Sequence, residues 1–321
     1  MKRVFVGRHL IPAARQILDA SGHDIKYWDK PGDPTEDEWV ENVKGKHGIY
    51  CFGPQKITKR IINAAGDQLE IVSAMSVGVD SIDLDELRSC GIVLGHTPGV
   101  LTDAVADITV ALVLGVSRRV IEMADVARRG EWSTWDPFTG LGCGLRDATV
   151  GIVGMGRIGL ATARRLAPFG VSRFVYSART PKPDAVEVNA LHVPFEELLE
   201  TSDFVLACCS LNPSTREMFN RAAFERMKKS AIFVNIGRGG LVDQDALVEA
   251  LQSGGIRGAG LDVTTPEPLP KEHALFQLDN CIVIPHIGSA EERTRTDMAT
   301  LAAKNLVAGL NKDKMPAQYP L

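Results

Sequence analysis

The sequence predicts an α/β protein of two doubly wound parallel-sheet domains with a cleft between them, and three observations predict it. Short apolar runs alternate with helical segments along the whole chain, the signature of repeated βαβ units. A glycine-rich turn joins one such run to the helix that follows. A length of 321 residues suits about two domains of ordinary size.

The elements follow in order. "RVFVG", "DIKYW", "GIYCFG", "LEIVSAM" and "IVLG" read as strands. Between them "PAARQILDASG", "EDEWVENVKG", "ITKRIINAAG" and "LDELRSCG" read as helices closed by glycine. "HTPG" at 96–99 punctuates the region, and 102–130 reads as one long helix with Thr102 or Asp103 as its cap. A second set of units starts at "ATVGIVGMGRIG" and ends at "CIVIPH". An amphipathic helix over 292–310 closes the pattern and can return to pack on the first domain.

Bulk properties exclude several classes. Hydrophobic residues make up 45% and charged residues 24%, ordinary for a globular protein. The net charge of −4 offers no attraction to a phosphate backbone, so no nucleic acid and no membrane surface is an expected partner. Six cysteines show no CxxC spacing, which predicts no metal site and a reduced, cytoplasmic setting. Adjacent Cys208 and Cys209 read as small buried hydrophobes. The first apolar run is too short for a signal peptide, no run reaches the ~18 residues of a membrane span, and "QYPL" is no peroxisomal signal.

Gly154, Gly156 and Gly159 have G-x-G-x-x-G spacing, follow an apolar strand and open a helix that stops at Pro168 and Gly170. The first glycine permits the turn, the second lets a pyrophosphate approach the backbone, and the third lets helix and strand pack closely. Helix N–H groups and dipole favour the anion. This is a Rossmann-like dinucleotide site. The next strand, "RFVYSA", ends where an NAD site presents an acid to the ribose, but here stand Ser177, Arg179 and Lys182. Cations and a hydroxyl favour a 2′-phosphate, so NADP(H) is the expected cofactor, with NAD(H) the alternative.

Three more strands run into reactive residues: "AIFVNIG" into Arg238, "GAGLDV" into Asp262 and then Glu267, and "CIVIP" into His286. In a parallel sheet all these carboxyl ends share one edge with the glycine loop. Arg238, Glu267 and His286 therefore converge beside the nicotinamide. Reduction of a 2-oxo acid needs a proton donor at the carbonyl oxygen; His286 supplies it, and a neighbouring Glu267 carboxylate favours the imidazolium form. Arg238 grips the substrate carboxylate. Backbone N–H groups of Val77, Gly78 and Val79, in the small-residue turn "SVGVD", offer a second cradle for that carboxylate.

In "SVGVD", "GMGRIG", "NIGRG", "LDVTTPEPLP" and "PHIGSA" the chain resembles the D-2-hydroxyacid dehydrogenases. "EWSTWDPF", "LAPFGVSRFVYSART" and "IPHIGSAEERTR" narrow this to the eukaryotic glyoxylate/hydroxypyruvate reductases. The resemblance implies a substrate domain of 1–100 plus 287–321, flavodoxin-like in character, and a cofactor domain of 101–286. It implies a homodimer and the reduction of hydroxypyruvate to D-glycerate and glyoxylate to glycolate. It carries cofactor contacts to Gly156, Arg157, Ile158, Arg179, Thr180, Lys182, Ser210, Ile236, Asp262 and Gly288. Substrate contacts carry to Arg238, Ser289 and Trp135, the last reaching a neighbouring subunit's site.

Two departures stand out. The acid common after the second strand is missing, and Gly237 replaces the more usual Ala or Ser, which would loosen Arg238. The rival readings are a nucleotide-sensing corepressor of the same superfamily and a 3-phosphoglycerate dehydrogenase. The former has an acidic ribose site and long tails, the latter a regulatory domain, and neither feature is evident here.

Overall fold

Strands and helices alternate from the first residues of the computed structural model, which describes all 321 residues. The first stretch runs β1 (Arg3–Val6), α1 (Pro12–Asp19), β2 (Asp24–Tyr27), α2 (Glu36–Val43) and β3 (Gly48–Phe52). It continues through α3 (Lys59–Ala65), β4 (Ile71–Met75), α4 (Leu84–Ser89) and β5 (Val93–Gly95). Local chemistry sets these boundaries. Thr35 and Glu38 form a reciprocal cap on α2, while Thr58 and Asp83 accept the first free N–H groups of α3 and α4.

The middle of the chain opens with α5 (Thr102–Ser117) and α6 (Val120–Arg128). One continuous helix over 102–130 was expected, and the structure corrects this. Ser117 O accepts the Cys143 N–H at 2.8 Å instead of continuing the helical ladder, and Arg119 turns left-handed at φ 54°. Gly142 rests on that same carbonyl, where an added Cβ would lie 2.1 Å from the oxygen.

Next come β6 (Thr149–Val153), α7 (Arg157–Leu166), β7 (Arg173–Ser177), β8 (Leu191–His192), α8 (Phe195–Thr201) and β9 (Phe204–Ala207). After them stand α9 (Arg221–Arg226), β10 (Ile232–Asn235), α10 (Gln244–Gln252), β11 (Gly258–Leu261) and β12 (Cys281–Val283). The chain closes with α11 (Glu292–Asn311) and β13 (Gln318–Tyr319).

Two units result, Met1–Leu101 with Ala290–Leu321, and Thr102–Ser289. The second runs to Ser289 rather than 286 because Asp262 holds the N–H groups of Ile287 and Gly288. Its seven strands are all parallel, in the order β12-β11-β10-β9-β6-β7-β8. The core beneath includes Val153, Val205, Phe219, Phe233 and Leu261.

In the first unit the order is β13-β5-β4-β3-β1-β2. The expected all-parallel sheet is corrected at one edge, where β13 pairs antiparallel with β5. Fully buried Asn305 explains it: its amide donates to His96 O and accepts from Ala317 N, both at 2.9 Å, drawing the tail alongside β5. Phe5 packs edge-on against Trp39 at 5.1 Å between ring centres in this unit's core.

Candidate active site

The register of the second unit's sheet lines up six strand ends. Ser177, Val153, Ala207, Asn235, Leu261 and Val283 form one row across β7, β6, β9, β10, β11 and β12. One residue beyond that row stand Gly154 and Asp262, and three residues beyond it stand Arg238 and His286. A parallel sheet thus delivers the glycine loop and the charged residues to one edge.

Each glycine of the loop meets a distinct demand. Gly154 takes φ +99°, and a Cβ there would lie 2.7 Å from the Cys209 backbone. A Cβ on Gly159 would lie 2.4 Å from Gly154 O, so helix and strand pack through its absence. A Cβ on Gly156 would meet nothing within 4 Å, which leaves room for a ligand against the backbone. Gly156 also provides no side chain to cap α7, so the first N–H groups of that helix, at Arg157, Ile158 and Gly159, face this space without a side-chain acceptor.

At the end of β7, Ser177 O accepts the Gly154 N–H at 2.9 Å and ties the strand to the loop. Arg179, Thr180 and Lys182 are exposed, and no carboxylate occurs between 177 and 183. The backbone of Lys182 is held by the Tyr176 hydroxyl at 2.8 Å. Ser210 is exposed just past β9, and Ile236 is buried just past β10.

His286 and Glu267 meet. Nδ1 of His286 lies 2.8 Å from Glu267 Oε2, which leaves Nε2 for another partner. Glu267 Oε1 accepts the Thr264 N–H at 3.0 Å. Burial pushes the Glu267 carboxyl up, but the bond and charge of His286, the Thr264 N–H and the Arg238 guanidinium outweigh it, leaving the carboxyl below its ordinary value. Glu267 is therefore an ionised partner at neutral pH.

Asp262 was expected as a cofactor contact, and the structure gives its carboxylate another occupation. It is 3% exposed, and its two oxygens accept the N–H groups of Ile287 at 2.7 Å and Gly288 at 2.9 Å. Its carbonyl accepts the His286 N–H at 2.9 Å. These bonds hold His286 at φ 51°, a left-handed conformation that a non-glycine residue adopts only under constraint. Burial raises the Asp262 carboxyl above its ordinary value, against the pull of the two N–H groups and the His286 charge.

Arg238 has a comparable support that sequence reasoning missed. The buried Asn235 side chain accepts the Gly237 N–H at 3.0 Å and donates to Arg238 O at 2.9 Å. The signal was present: a polar residue ends an otherwise apolar strand beside a glycine. A Cβ on Gly237 would lie 2.8 Å from Cys209 O, so the backbone passes closely there. Gly239 is tighter still, with an added Cβ 2.0 Å from Thr264 O, the residue that begins the Glu267 loop.

Not every expected residue joins this group. Ser289 is half-buried at the end of the second unit. Val77, Gly78 and Val79 belong to the first unit, in a turn where Ser76 donates to Gly78 O at 2.6 Å and His96 Nδ1 lies 3.3 Å from Val77 O. No backbone carbonyl takes the N–H groups of these three residues. Trp135 is 85% exposed on the loop after α6, with Trp132 and Phe138 also exposed.

Comparison with known proteins identifies the family. Residues 110–288 match the family model of the D-isomer specific 2-hydroxyacid dehydrogenase NAD binding domain. The human glyoxylate reductase/hydroxypyruvate reductase is 46% identical over 100% of this chain and 98% of its own length. A glyoxylate reductase of Thermofilum pendens is 41% identical over 94% of this chain and 88% of its own. Among solved structures, a protein of Thermus thermophilus superposes with a TM-score of 0.92 at 43% identity, covering 99% and 100% of the two chains. An NADPH-dependent glyoxylate/hydroxypyruvate reductase of Sinorhizobium meliloti, solved with NADP and malonate, superposes with a TM-score of 0.85 at 31% identity, covering 99% and 96%. The chain is therefore an enzyme of the D-isomer specific 2-hydroxyacid dehydrogenase family, with the NAD-binding domain of that family.

Proposed function

We propose that this enzyme reduces small 2-oxo acids with NADPH, hydroxypyruvate to D-glycerate and glyoxylate to glycolate. The observation that carries the proposal is the His286–Glu267 pair, 2.8 Å apart on the sheet edge that also bears the glycine loop. The names of the human and Sinorhizobium meliloti relatives agree with these substrates.

The residues present fit a dinucleotide. Open space at Gly156 and the uncapped N–H groups of Arg157, Ile158 and Gly159 suit a pyrophosphate. Arg179 and Lys182, with Ser177 and Thr180, suit a 2′-phosphate because no carboxylate repels it. Ser210, Ile236, Asp262 and Gly288 complete the proposed contacts, Asp262 chiefly through the loop it holds. When bound, the reduced nicotinamide supplies the hydride.

The chain's own residues do the rest. Arg238 holds the substrate carboxylate and polarises the carbonyl oxygen. The N–H groups of Val77, Gly78 and Val79 suit a carboxylate, and Ser289 contacts the substrate. Nε2 of His286 gives its proton to the oxygen as hydride reaches the carbon, and Glu267 holds the ring at Nδ1 so that Nε2 faces the reaction. In the reverse direction neutral His286 takes the proton from the alcohol. We assign the protein to the cytoplasm as a homodimer, with Trp135 meeting the partner's substrate.

The test is oxidation of NADPH by purified protein on adding hydroxypyruvate, glyoxylate or pyruvate, beside His286→Ala. Fast turnover with hydroxypyruvate, lost in the variant while NADPH still binds, is expected. A variant with wild-type rates on every acid would refute the role of His286.

A further inference from the structure

Glu267 lies in a segment poorly equipped to hold itself. Between β11 and the turn at Ala274–Gln277 the chain reads "TTPEPLP", and its prolines at 266, 268 and 270 have no N–H to donate. Within the segment Thr264 helps: its hydroxyl donates to Pro266 O at 2.9 Å and its N–H reaches Glu267 itself. Thr265 and Glu267 are nonetheless at or near the surface.

The outside support comes from Gln244, the first residue of α10. Its amide donates to Thr265 O at 2.8 Å, and its carbonyl accepts the Thr265 N–H at 3.1 Å. One planar group thus satisfies both polar groups of a single residue, as a neighbouring strand would. Beyond the proline run, His273 Nδ1 accepts the Leu275 N–H at 3.2 Å and closes the segment's far end. Helix α10 needs none of this, because Asp243 caps it and Ala246, Leu247 and Leu251 bury its inner face.

We propose that Gln244 is a positioning residue of the active site: its paired bonds to the Thr265 backbone fix the loop that keeps Glu267 on His286 Nδ1. The inference rests on the catalytic reading of His286 and Glu267 given above.

The test compares Gln244→Met, Gln244→Glu, Glu267→Gln, His286→Ala and the double variant Gln244→Met/Glu267→Gln, all in the full chain. Steady-state rates with NADPH and hydroxypyruvate are taken across pH, with thermal midpoints and NADPH binding alongside. Methionine keeps the length and removes both bonds, so kcat falls about tenfold, the scale on which outer partners of a reacting group act. The alkaline limb of its pH profile moves as in Glu267→Gln, with NADPH affinity unchanged. Glutamate keeps the acceptor and loses the donor, and its rate falls between. In the double variant the methionine costs no more than Glu267→Gln alone, since neighbours acting through one group are not additive.

A wild-type rate and pH profile in Gln244→Met overturns the inference, as does a fully additive loss in the double variant. Loss confined to the thermal midpoint overturns it too, by making Gln244 a purely structural brace. Wild-type rates in Glu267→Gln and His286→Ala would instead refute the catalytic reading, and this inference with it.

Discussion

Replacing Gly239 by alanine tests whether the charged residues work only at the spacing this sheet edge sets. The added Cβ would sit 2.0 Å from Thr264 O and 2.1 Å from Thr264 C, both backbone atoms that no rotamer change can clear. Bringing the contact even to 3.0 Å requires the Arg238 turn and the Glu267 loop to part by about 1 Å. Displacement of that size costs about 10²-fold in turnover when reacting groups are involved, with about 1–3 kcal/mol of stability lost to overpacking. Gly240→Ala serves as the control, because its nearest neighbour at 3.0 Å is a Leu211 methyl that can rotate away. The assay is kcat/KM for hydroxypyruvate with NADPH, beside urea unfolding and NADPH binding. The pyrophosphate contacts at the glycine loop should be kept, since that loop follows β6, two strands from β10 across β9. Near-wild-type turnover in a folded Gly239→Ala protein would refute the reasoning that Arg238 and Glu267 act at a fixed spacing.

Further predictions concern charge and exposure. Arg179→Ala should weaken NADPH binding more than NADH binding in fluorescence titrations, and equal losses would contradict the 2′-phosphate role. Burial first, then the charge of the N-terminal amino group, holds the His23 ring below its ordinary 6.5 against the Asn311 hydrogen bond. The unfolded chain therefore takes up that proton first, so stability is full above pH 6.5 and is lost as pH falls through the lower folded value. His23→Leu should flatten the change in urea midpoint between neutral and mildly acid pH, and an unchanged slope would remove His23 as its source. Burial pushes the thiols of Cys51 and Cys281 up to about 12 and that of Cys209 up to about 11, while Cys90 is exposed. Alkylation at neutral pH, read by peptide mass mapping, should mark Cys90 first.

Much of this fold was legible because period and punctuation agree along the chain. The runs "RVFVG", "GIYCFG" and "LEIVSAM" are too short and apolar to be surface helices, and the segments between them end in glycine. The edge that gathers Arg238, Glu267 and His286 follows from parallel topology alone, with no need to know a contact. What stayed hidden depends on contacts distant in sequence. The break after Ser117 is made by Cys143, and the two-residue strand β13 exists because Asn305 draws it to β5. Neither carries a local signature. The same holds for Asp262, whose buried carboxylate serves the His286 loop: sequence marks an acid at a strand end, whereas the structure shows what its oxygens hold.

The split of the first unit has a consequence for how the chain is made. Residues 102–289 form one uninterrupted unit and emerge from the ribosome together, whereas the first unit lacks α11 and β13 until residues 290–321 have followed. Until then the first unit lacks the strand that covers β5 and the helix that packs on β3 and β4. In a growing chain of this enzyme the second unit therefore has all its strands and helices before the first unit does, although synthesis begins with the first.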